Sequence, residues 1–532
     1  MTRSTTYPMS DLTELTALLA GGGVPATLAP AVAGHFGPDA ADQLRADPWQ
    51  LLALPGVRPE QADHFARQIL GDGTDPGDER RGRALVTHLL MQAARHGHTV
   101  LPVPEAVTRL KALKVPDPVQ SMRGALDEGQ ILGYAIEDPE DFEKEPDEVL
   151  SLERWAMAEE AVAEGIMRLL ATAQTREGSE RGVAVLTGPG TAAAVSALRE
   201  QGAVVATLTD RAGGISLHRL LEARETPGGV TYARGEQWPL EAGIVVVTDA
   251  GGLDVELAAA LVEACADGTH LVLAGDPAGL PPIMPGQVLA DVIAAGTVPV
   301  VDCPAEPGGP LERLGAAVRL GELPPVDAPN REVVLIAAKD PQEAVYRVVQ
   351  LVTDSIPRAL GIAVDDVQVL TPAQGGAAGT AALNAALKER LNPGPGAHGG
   401  FDVGDRIVVT SALPQAATGE TGVVGAVVAD GGLEISFPAG TATVPAALLS
   451  RLRHGWAITV QRSAGTRWPA VVAVLTPDSG PLLSRPLVVT ATGRALAHLS
   501  VVHAAGPALA KAVREVRAPE RRTRLAGLLR EG

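Results

Sequence analysis

Residues 183–195 read Val183-Ala-Val-Leu-Thr-Gly-Pro-Gly-Thr-Ala-Ala-Ala-Val195. An apolar, valine-rich run feeds a Gly188-Pro189-Gly190 turn, and a helix-forming stretch follows. That is the strand–loop–helix context of a phosphate-binding P-loop. Such a loop continues Gly-Lys-Thr, whereas Thr191 is followed here by Ala192, Ala193 and Ala194. In a P-loop the lysine reaches the β- and γ-phosphates, the next hydroxyl ligates Mg²⁺, and the last glycine lets backbone N–H groups close on the phosphates. Each lost charge-assisted contact is worth ~1.5–3 kcal/mol. Losing two or three would lower nucleotide affinity on the order of 10³-fold. The remaining turn, Gly188, Pro189, Gly190 and Thr191, still offers N–H groups at a helix N-terminus, which can hold an anion. The alternative reading is an ordinary strand-to-helix turn.

Outward from this turn, apolar strands alternate with helices: Val204–Leu208, Ile244–Val247, His270–Ala274, Val333–Ala337 and Val367–Leu370. That alternation predicts parallel sheets covered by helices. Residues 401–450 change character, with short alternating strands and glycine turns around Asp405-Arg-Ile-Val-Val and Leu433-Glu-Ile-Ser-Phe. They read as a small β unit inserted in the second α/β domain. Residues 150–176 carry helical spacing through Leu150, Trp155, Val162, Ile166 and Leu169.

Before that, residues 11–72 read as short helices joined by glycine-bearing hairpins. Leu54-Pro-Gly-Val-Arg-Pro-Glu-Gln-Ala62 matches the hairpin of a helix–hairpin–helix unit, and the stretch from Gly23 looks like a first copy. Such hairpins hold DNA with the N–H groups of a Gly-hydrophobic-Gly turn, so Gly23, Gly56 and Arg58 are candidate DNA contacts. The second glycine is Pro25 in one copy and Arg58 in the other, and proline has no N–H to donate. Residues 80–113 read as an amphipathic helix with a break at Gly97-His-Thr-Val-Leu-Pro102. The acidic stretch 136–148 reads as a linker.

The 532 residues suffice for three or four domains. No run approaches the length of a membrane-spanning helix, and Met1-Thr-Arg-Ser lacks an apolar signal core, so a cytoplasmic protein with no membrane partner is expected. Cys265 and Cys303 form no C-x-x-C pair, and His96 and His98 lack a ligand pattern, so no metal site is expected. The net charge of −19 and the 3% aromatic content argue against a broad nucleic-acid-binding surface. Charge is uneven: residues 127–160 are acid-rich, while Arg514, Arg517, Arg521, Arg522 and Arg524 make 506–532 a basic tail. That tail reads either as a solvated terminal helix or as a contact for a partner or nucleic acid.

With these landmarks the chain resembles the RecD-like DNA helicases of superfamily 1B, in the long form with an N-terminal helix–hairpin–helix region. The resemblance covers nearly the whole chain. It rests on Asp47-Pro-Trp-Gln-Leu-Leu52, Gly97-His-Thr-Val-Leu-Pro102, Leu217-His-Arg-Leu-Leu221, Gly275-Asp-Pro-Ala-Gly-Leu-Pro-Pro282, Val369-Leu-Thr-Pro372, Gly404-Asp-Arg-Ile407 and Ala457-Ile-Thr-Val460. It implies an α/β fold of two RecA-like P-loop NTPase-type domains with an SH3-like β insert, preceded by an all-α helix–hairpin–helix region. The implied boundaries are 1–75 for the hairpin region, 76–149 for a small helical module and acidic linker, and 150–327 for the first RecA-like domain. The second RecA-like domain would take 328–400 and 453–505, split by the insert at 401–452.

The positions where the family keeps its chemistry differ. The family's Asp-Glu-Ala-Ser-Met-Leu-Asp is Thr248-Asp-Ala-Gly-Gly-Leu-Asp254 here. In one register Thr248 replaces the Mg²⁺-holding aspartate and Asp249 the water-orienting glutamate; a slipped register puts Asp249 on the metal. The glutamine before Leu-Pro is Gly279. The Phe-Arg-Gln element falls on Cys303-Pro-Ala-Glu306. The DNA-contacting His-Lys-Ser-Gln-Gly-Ser-Glu is Gln461-Arg-Ser-Ala-Gly-Thr-Arg467, which leaves Arg462 and Arg467 as candidate DNA contacts. Arg494 of the last motif is kept, as is Asp276.

Three readings stand. The first is an ATPase-deficient pseudo-helicase, without cofactor, retained in DNA repair or recombination to bind single-stranded DNA or a protein partner such as an intact helicase or repair factor. The second is a weak or atypical ATP-dependent 5'-3' helicase using ATP and Mg²⁺, with Asp249, Asp276 and Arg494 as its surviving catalytic parts. The third is an interaction scaffold without DNA binding.

Overall fold

The computed structural model describes residues 9–71, 74–137, 145–173, 182–209, 214–226, 229–305, 308–411, 413 and 415–532. Short helices Met9–Gly21, Ala29–Phe36, Ala40–Ala46 and Pro59–Leu70 build the N-terminal region. They are pinned to the next helix, Glu79–Arg95, by the buried Arg81. Its guanidinium donates to both Asp63 carboxylate oxygens at 2.8 and 3.0 Å, and Asp63 also accepts from Trp49 Nε1. A bidentate pair of this kind fixes geometry as well as charge.

Residues 79–152 depart from the expected helical module. Val100–Pro102 is a strand, paired antiparallel with Asp147–Leu152, which in turn pairs with Ile131–Ile136. This strand occupies the break read at Gly97–Pro102, between helices Glu79–Arg95 and Val103–Ala112. The acidic stretch 136–148 joins two adjacent strands of one sheet and is not a linker between domains; its residues 138–144 lie outside the described residues. Acid-rich, proline-bearing composition does not by itself mark a domain boundary, and the pairing of the flanking strands decides the point.

Two parallel sheets follow. The first has strand order Val300–Asp302, Val183–Thr187, His270–Ala274, Ile244–Thr248, Val204–Thr207, Ile215–Ser216. The second runs Val333–Ala337, Ala495–His503, Trp468–Leu475, Val367–Thr371, Ala457–Thr459. Both are RecA-like, and their inner strands are near-continuous Val, Leu and Ala because both faces are covered. The helix Pro310–Arg319 packs Leu314 and Val318 into the core of the second sheet beside Leu487 and Val488. The first domain accordingly gives way to the second near residue 309, earlier than the expected 327.

The insert is a five-stranded antiparallel sheet from Arg406–Val409 to Leu452–His454. It is bolted to the second domain by the buried Arg406, whose guanidinium donates to the Asp365 and Val367 carbonyls and to Gln368 Oε1. Among the described residues no helix is long and apolar enough to cross a membrane.

The basic tail is neither a solvated helix nor a free nucleic-acid arm. The helix Pro507–Glu515 belongs to the second domain's core through Leu509 and Val513. Residues 517–531 then cross back to the first domain. Helix Leu525–Glu531 buries Leu525 and Leu529 against helices Glu153–Ala171 and Val288–Ala295. Arg521 donates to the Pro282, Met284 and Gly286 carbonyls at 2.5, 3.0 and 2.6 Å. Arg522 pairs with Glu105, and Arg524 with Glu160 at 3.0 Å while lying over the Tyr134 ring.

Beneath this crossing Glu159 is fully buried and accepts from Thr99 Oγ1 and the Arg524 N–H. Burial raises its pKa to about 7, and burial likewise lifts Asp291, bonded to Thr523, to about 6. An acid whose folded pKa is raised contributes stability that is full below its unfolded value and is lost as pH rises through the folded one. The thermal midpoint should therefore fall between pH 5 and pH 8, and Glu159→Gln should flatten that fall. Equal slopes in the two chains, followed by circular dichroism, would count against a protonated Glu159.

Candidate functional site

The strand Val183–Thr187 delivers the chain to Gly188, whose φ of 89° lies in the left-handed region, and helix Thr191–Glu200 begins directly after the turn. The edge strand Val300–Asp302 pairs with Val183–Thr187 and runs its continuation across the turn. The Gly190 N–H donates to the Cys303 carbonyl at 2.8 Å, and the Cys303 N–H to the Thr187 carbonyl at 2.8 Å. Thr191 N–H and Oγ1 both turn back to the Gly188 carbonyl, and the Ala193 N–H bonds to the Gly190 carbonyl. These donors, which the sequence left available for an anion, are thus engaged by the protein's own carbonyl oxygens. A Cβ on Gly190 would stand 2.8 Å from the Pro304 carbonyl oxygen, and one on Gly188 2.3 Å from Asp302 Oδ1. Both glycines are accounted for by this close approach.

The other motif positions meet across the seam between the two sheets. Thr248 ends its strand with Oγ1 bonded to the Ala206 carbonyl at 3.3 Å. Asp249 follows with φ 55° and ψ 34°, a left-handed conformation that an aspartate adopts at some cost in strain. Its carboxylate meets Arg494 Nη1 at 2.7 Å, with side-chain exposures of 18% and 11%. Arg494 Nε is buried without a hydrogen-bond partner among the described residues. Asp276 caps its own turn through the Ala278 N–H and pairs with Arg319 Nε at 2.7 Å. Gly279 sits where a side chain would press on Asp276 O and Thr490 Oγ1, each 3.3 Å from an added Cβ. The Leu280 N–H donates to the same Thr490 hydroxyl at 2.8 Å.

One cavity opens at this seam and a second lies beside it within the second domain. One, of about 350 Å³, is lined by Asp249, Asp276, Arg319, Arg462, Arg467 and Arg494 among others, and none of Gly188, Pro189, Gly190 or Thr191 lines it. The second, of about 680 Å³, lies between helix Thr380–Leu391 and the insert, with Gln374, Lys388, Arg453 and His454 on its walls. Lys388 is neutralised there by Asp402 and Asp405. Arg462 lines both cavities. Burial first, and the charge of Arg453 second, pull its pKa below the usual arginine value. Among the described residues its guanidinium has no carboxylate partner. A partly desolvated cation of that kind is a receptor for an anion. Arg467 stands exposed at the rim.

The hairpin candidates lie elsewhere, in the N-terminal helices. Gly23 and Gly56 hold positive φ, as a tight turn requires. The Arg58 N–H is taken by Gln61 Oε1 at 3.0 Å, so it is not a free donor. Among the described residues no group of His, Cys, Asp and Glu is placed to hold a metal ion. Sequence reasoning missed Arg319, Arg453 and the Cys303 carbonyl. Arg319 and Arg453 lie outside every quoted motif, and a carbonyl leaves no signature in the residue type.

Comparison with known proteins bears on the same elements. Residues 9–100 match the family model described as "ATP-dependent RecD2 DNA helicase HHH domain", and residues 165–302 match "AAA domain". The chain is 28% identical over 541 aligned positions to the ATP-dependent RecD2 DNA helicase of Deinococcus radiodurans, covering 91% of this chain and 73% of that protein. It is 30% identical to the RecBCD enzyme subunit RecD of Mycolicibacterium smegmatis, covering 58% of this chain and 59% of that one. Among solved structures, a Pif1 helicase from Bacteroides in complex with ADP-AlF3 and ssDNA aligns at 13% identity, covering 60% of this chain and 88% of its own, with a TM-score of 0.35.

Removing one partner of the Asp249–Arg494 pair leaves the other largely buried and unpaired, at a cost of about 1–3 kcal/mol. Arg494→Ala should therefore lower stability to denaturant by that amount. In the double variant with Asp249→Asn, which tolerates the left-handed backbone, the cost should be less than the sum of the two single costs. Strict additivity across the double-mutant cycle would mean the pair contributes nothing.

Proposed function

This chain is a RecD-like homologue of the superfamily 1B DNA helicases, and from that premise we propose that it binds single-stranded DNA without turning over ATP. The observation that carries the first half is Arg462, a half-buried guanidinium with no carboxylate partner at the wall shared by two cavities. A DNA phosphate would supply the missing anion, and the Arg453 and Arg467 side chains stand nearby for flanking phosphates. Phosphate contacts position a strand without reading its sequence, so binding would be sequence-tolerant.

The second half rests on the fit of Mg-ATP to the residues present, which is poor. Ala193 offers no cation and Ala194 no metal ligand, while the Gly190 N–H is held by the Cys303 carbonyl. Phosphoryl transfer is catalysed by positioned charge around the terminal phosphate. The acid and the arginine best placed for that task, Asp249 and Arg494, neutralise each other. That same pair favours the competing reading of a weak motor, since both groups stand in one cleft.

Three measurements divide these readings. Calorimetric titration with Mg-ATP should give no binding in the micromolar range. Sustained phosphate release stimulated by single-stranded DNA, and lost in Arg494→Ala, would establish the weak motor instead. Anisotropy of a labelled oligonucleotide should show affinity falling as salt rises, with Arg462→Ala weakening binding and lowering the salt slope by about one. Absence of binding at low salt would leave a role through protein partners alone.

A further inference from the structure

We propose that residues 517–531 are an intramolecular strap that limits how far the second sheet domain can swing from the first. The strap leaves the second domain at a fixed point. Arg485 holds the end of helix Pro507–Glu515, its N–H donating to the Val516 carbonyl at 2.8 Å and its guanidinium to the Val513 and Arg514 carbonyls at 2.7 and 2.5 Å. Residues 517–520 are exposed and carry no helix or strand. Arrival is equally fixed. Arg521 fills a socket of three carbonyls in the 282–286 loop, so close to Gly97 that a Cβ there would lie 2.2 Å from its guanidinium carbon. The Thr99 N–H donates to the Arg522 carbonyl, the Arg522 N–H to His98 Nδ1, and the Arg524 N–H to Glu159. One segment thereby ties the second domain to both the first domain and the three-stranded module.

The loop that Arg521 grips also forms a wall of the cleft, through Pro282, Ile283 and Met284. Its neighbour, the Pro281 carbonyl, accepts from Gln461 Nε2 of the second domain at 2.6 Å. Connectivity is therefore circular: second domain, strap, loop 281–286, and back to the second domain. Opening the cleft requires breaking the direct contacts, among them Asp249–Arg494, Leu280–Thr490, Asp276–Arg319, Gln461–Pro281 and Thr209–Thr466. It does not require undocking the strap. With those contacts broken, the stretch from Val516 to Arg521 spans at most roughly 17 Å, and that reach sets the limit of movement.

Severing the strap after folding tests this without asking a truncated chain to fold. The recognition sequence of a site-specific protease replaces residues 517–520. Spin labels are placed at Glu200→Cys and Glu389→Cys, two exposed positions on opposite domains. Cys265 and Cys303 are buried and take no label. Distances between the labels are measured by pulsed electron resonance before and after complete cleavage, in this chain and in its Arg494→Ala derivative. A shift to longer distance, or a second, longer population after cleavage in either chain, is the expected result. Superimposable distributions before and after cleavage in both chains would overturn the proposal.

Discussion

The ion pair between Asp249 and Arg494 joins the two RecA-like domains across their cleft, beside a second pair at Asp276–Arg319. Each partner sits at the end of its own domain's framework, Asp249 directly after a central strand and Arg494 between a helix and the start of an inner strand of the other sheet. A largely buried pair adds little net stability, because removing two charges from water offsets most of their attraction. Its contribution is to register. Once it forms, Thr490 lies against Leu280, Gln461 against Pro281, and Thr466 against Thr209 at 3.0 Å. These are neutral hydrogen bonds that depend on the domains already being in place. The seam between the domains is thus spanned by hydrogen bonds and ion pairs between the chain's own groups.

The same substitution of protein for ligand explains the turn at Gly188. A loop built to cradle phosphate must leave its N–H groups converging on empty space. Here the edge strand Val300–Asp302 carries the Cys303 carbonyl into that space, and a carbonyl oxygen is a weaker but adequate acceptor for the Gly190 donor. Gly188 and Pro189 are exposed and Gly190 and Thr191 half-buried, and the Gly190 and Thr191 N–H groups bond to the protein's own carbonyl oxygens. Packing alone requires both glycines, since Asp302 and the Cys303 and Pro304 carbonyls stand where side chains would go. The Gly188-Pro-Gly190 pattern is thus explained by packing without appeal to a phosphate.

Much of the fold was legible in the sequence because buried parallel strands declare themselves as short apolar runs. All five runs read as strands between 204 and 370 are strands. The elements that escaped are those whose residues say nothing alone. Val300–Asp302 is an exposed three-residue edge flanked by prolines. Val100–Pro102 acquires strand geometry only from its pairing with Val149–Ser151. Charge misled most in residues 506–532, where clustered arginines read as a solvent-facing surface. Their partners, Glu105, Glu159, Glu160 and the carbonyls of 282–286, lie hundreds of positions earlier. At the candidate site Asp249 and Arg494 were identifiable singly. Their pairing was not, because the link between them spans 245 residues.

Where the basic groups go also reframes the acidic balance of −19. A net charge of that sign suppresses non-specific attraction to nucleic acid, and it acts over the whole surface. Screening confines it to about 10 Å at 0.1 M salt, so local arrangement governs contact. Arg406, Arg521 and Arg524 are consumed inside the structure by carbonyls and carboxylates, and Lys388 by two aspartates. Arg462 is set apart from these: it is withdrawn from water and still lacks a counter-charge among the described residues. Desolvating an arginine without an anion is unfavourable, and the unfavourable term is relieved when an anion arrives. The proposed binding at that point would draw on the local arrangement against the sign of the whole molecule, which suits a few phosphates held in a groove better than a duplex gripped along a broad face.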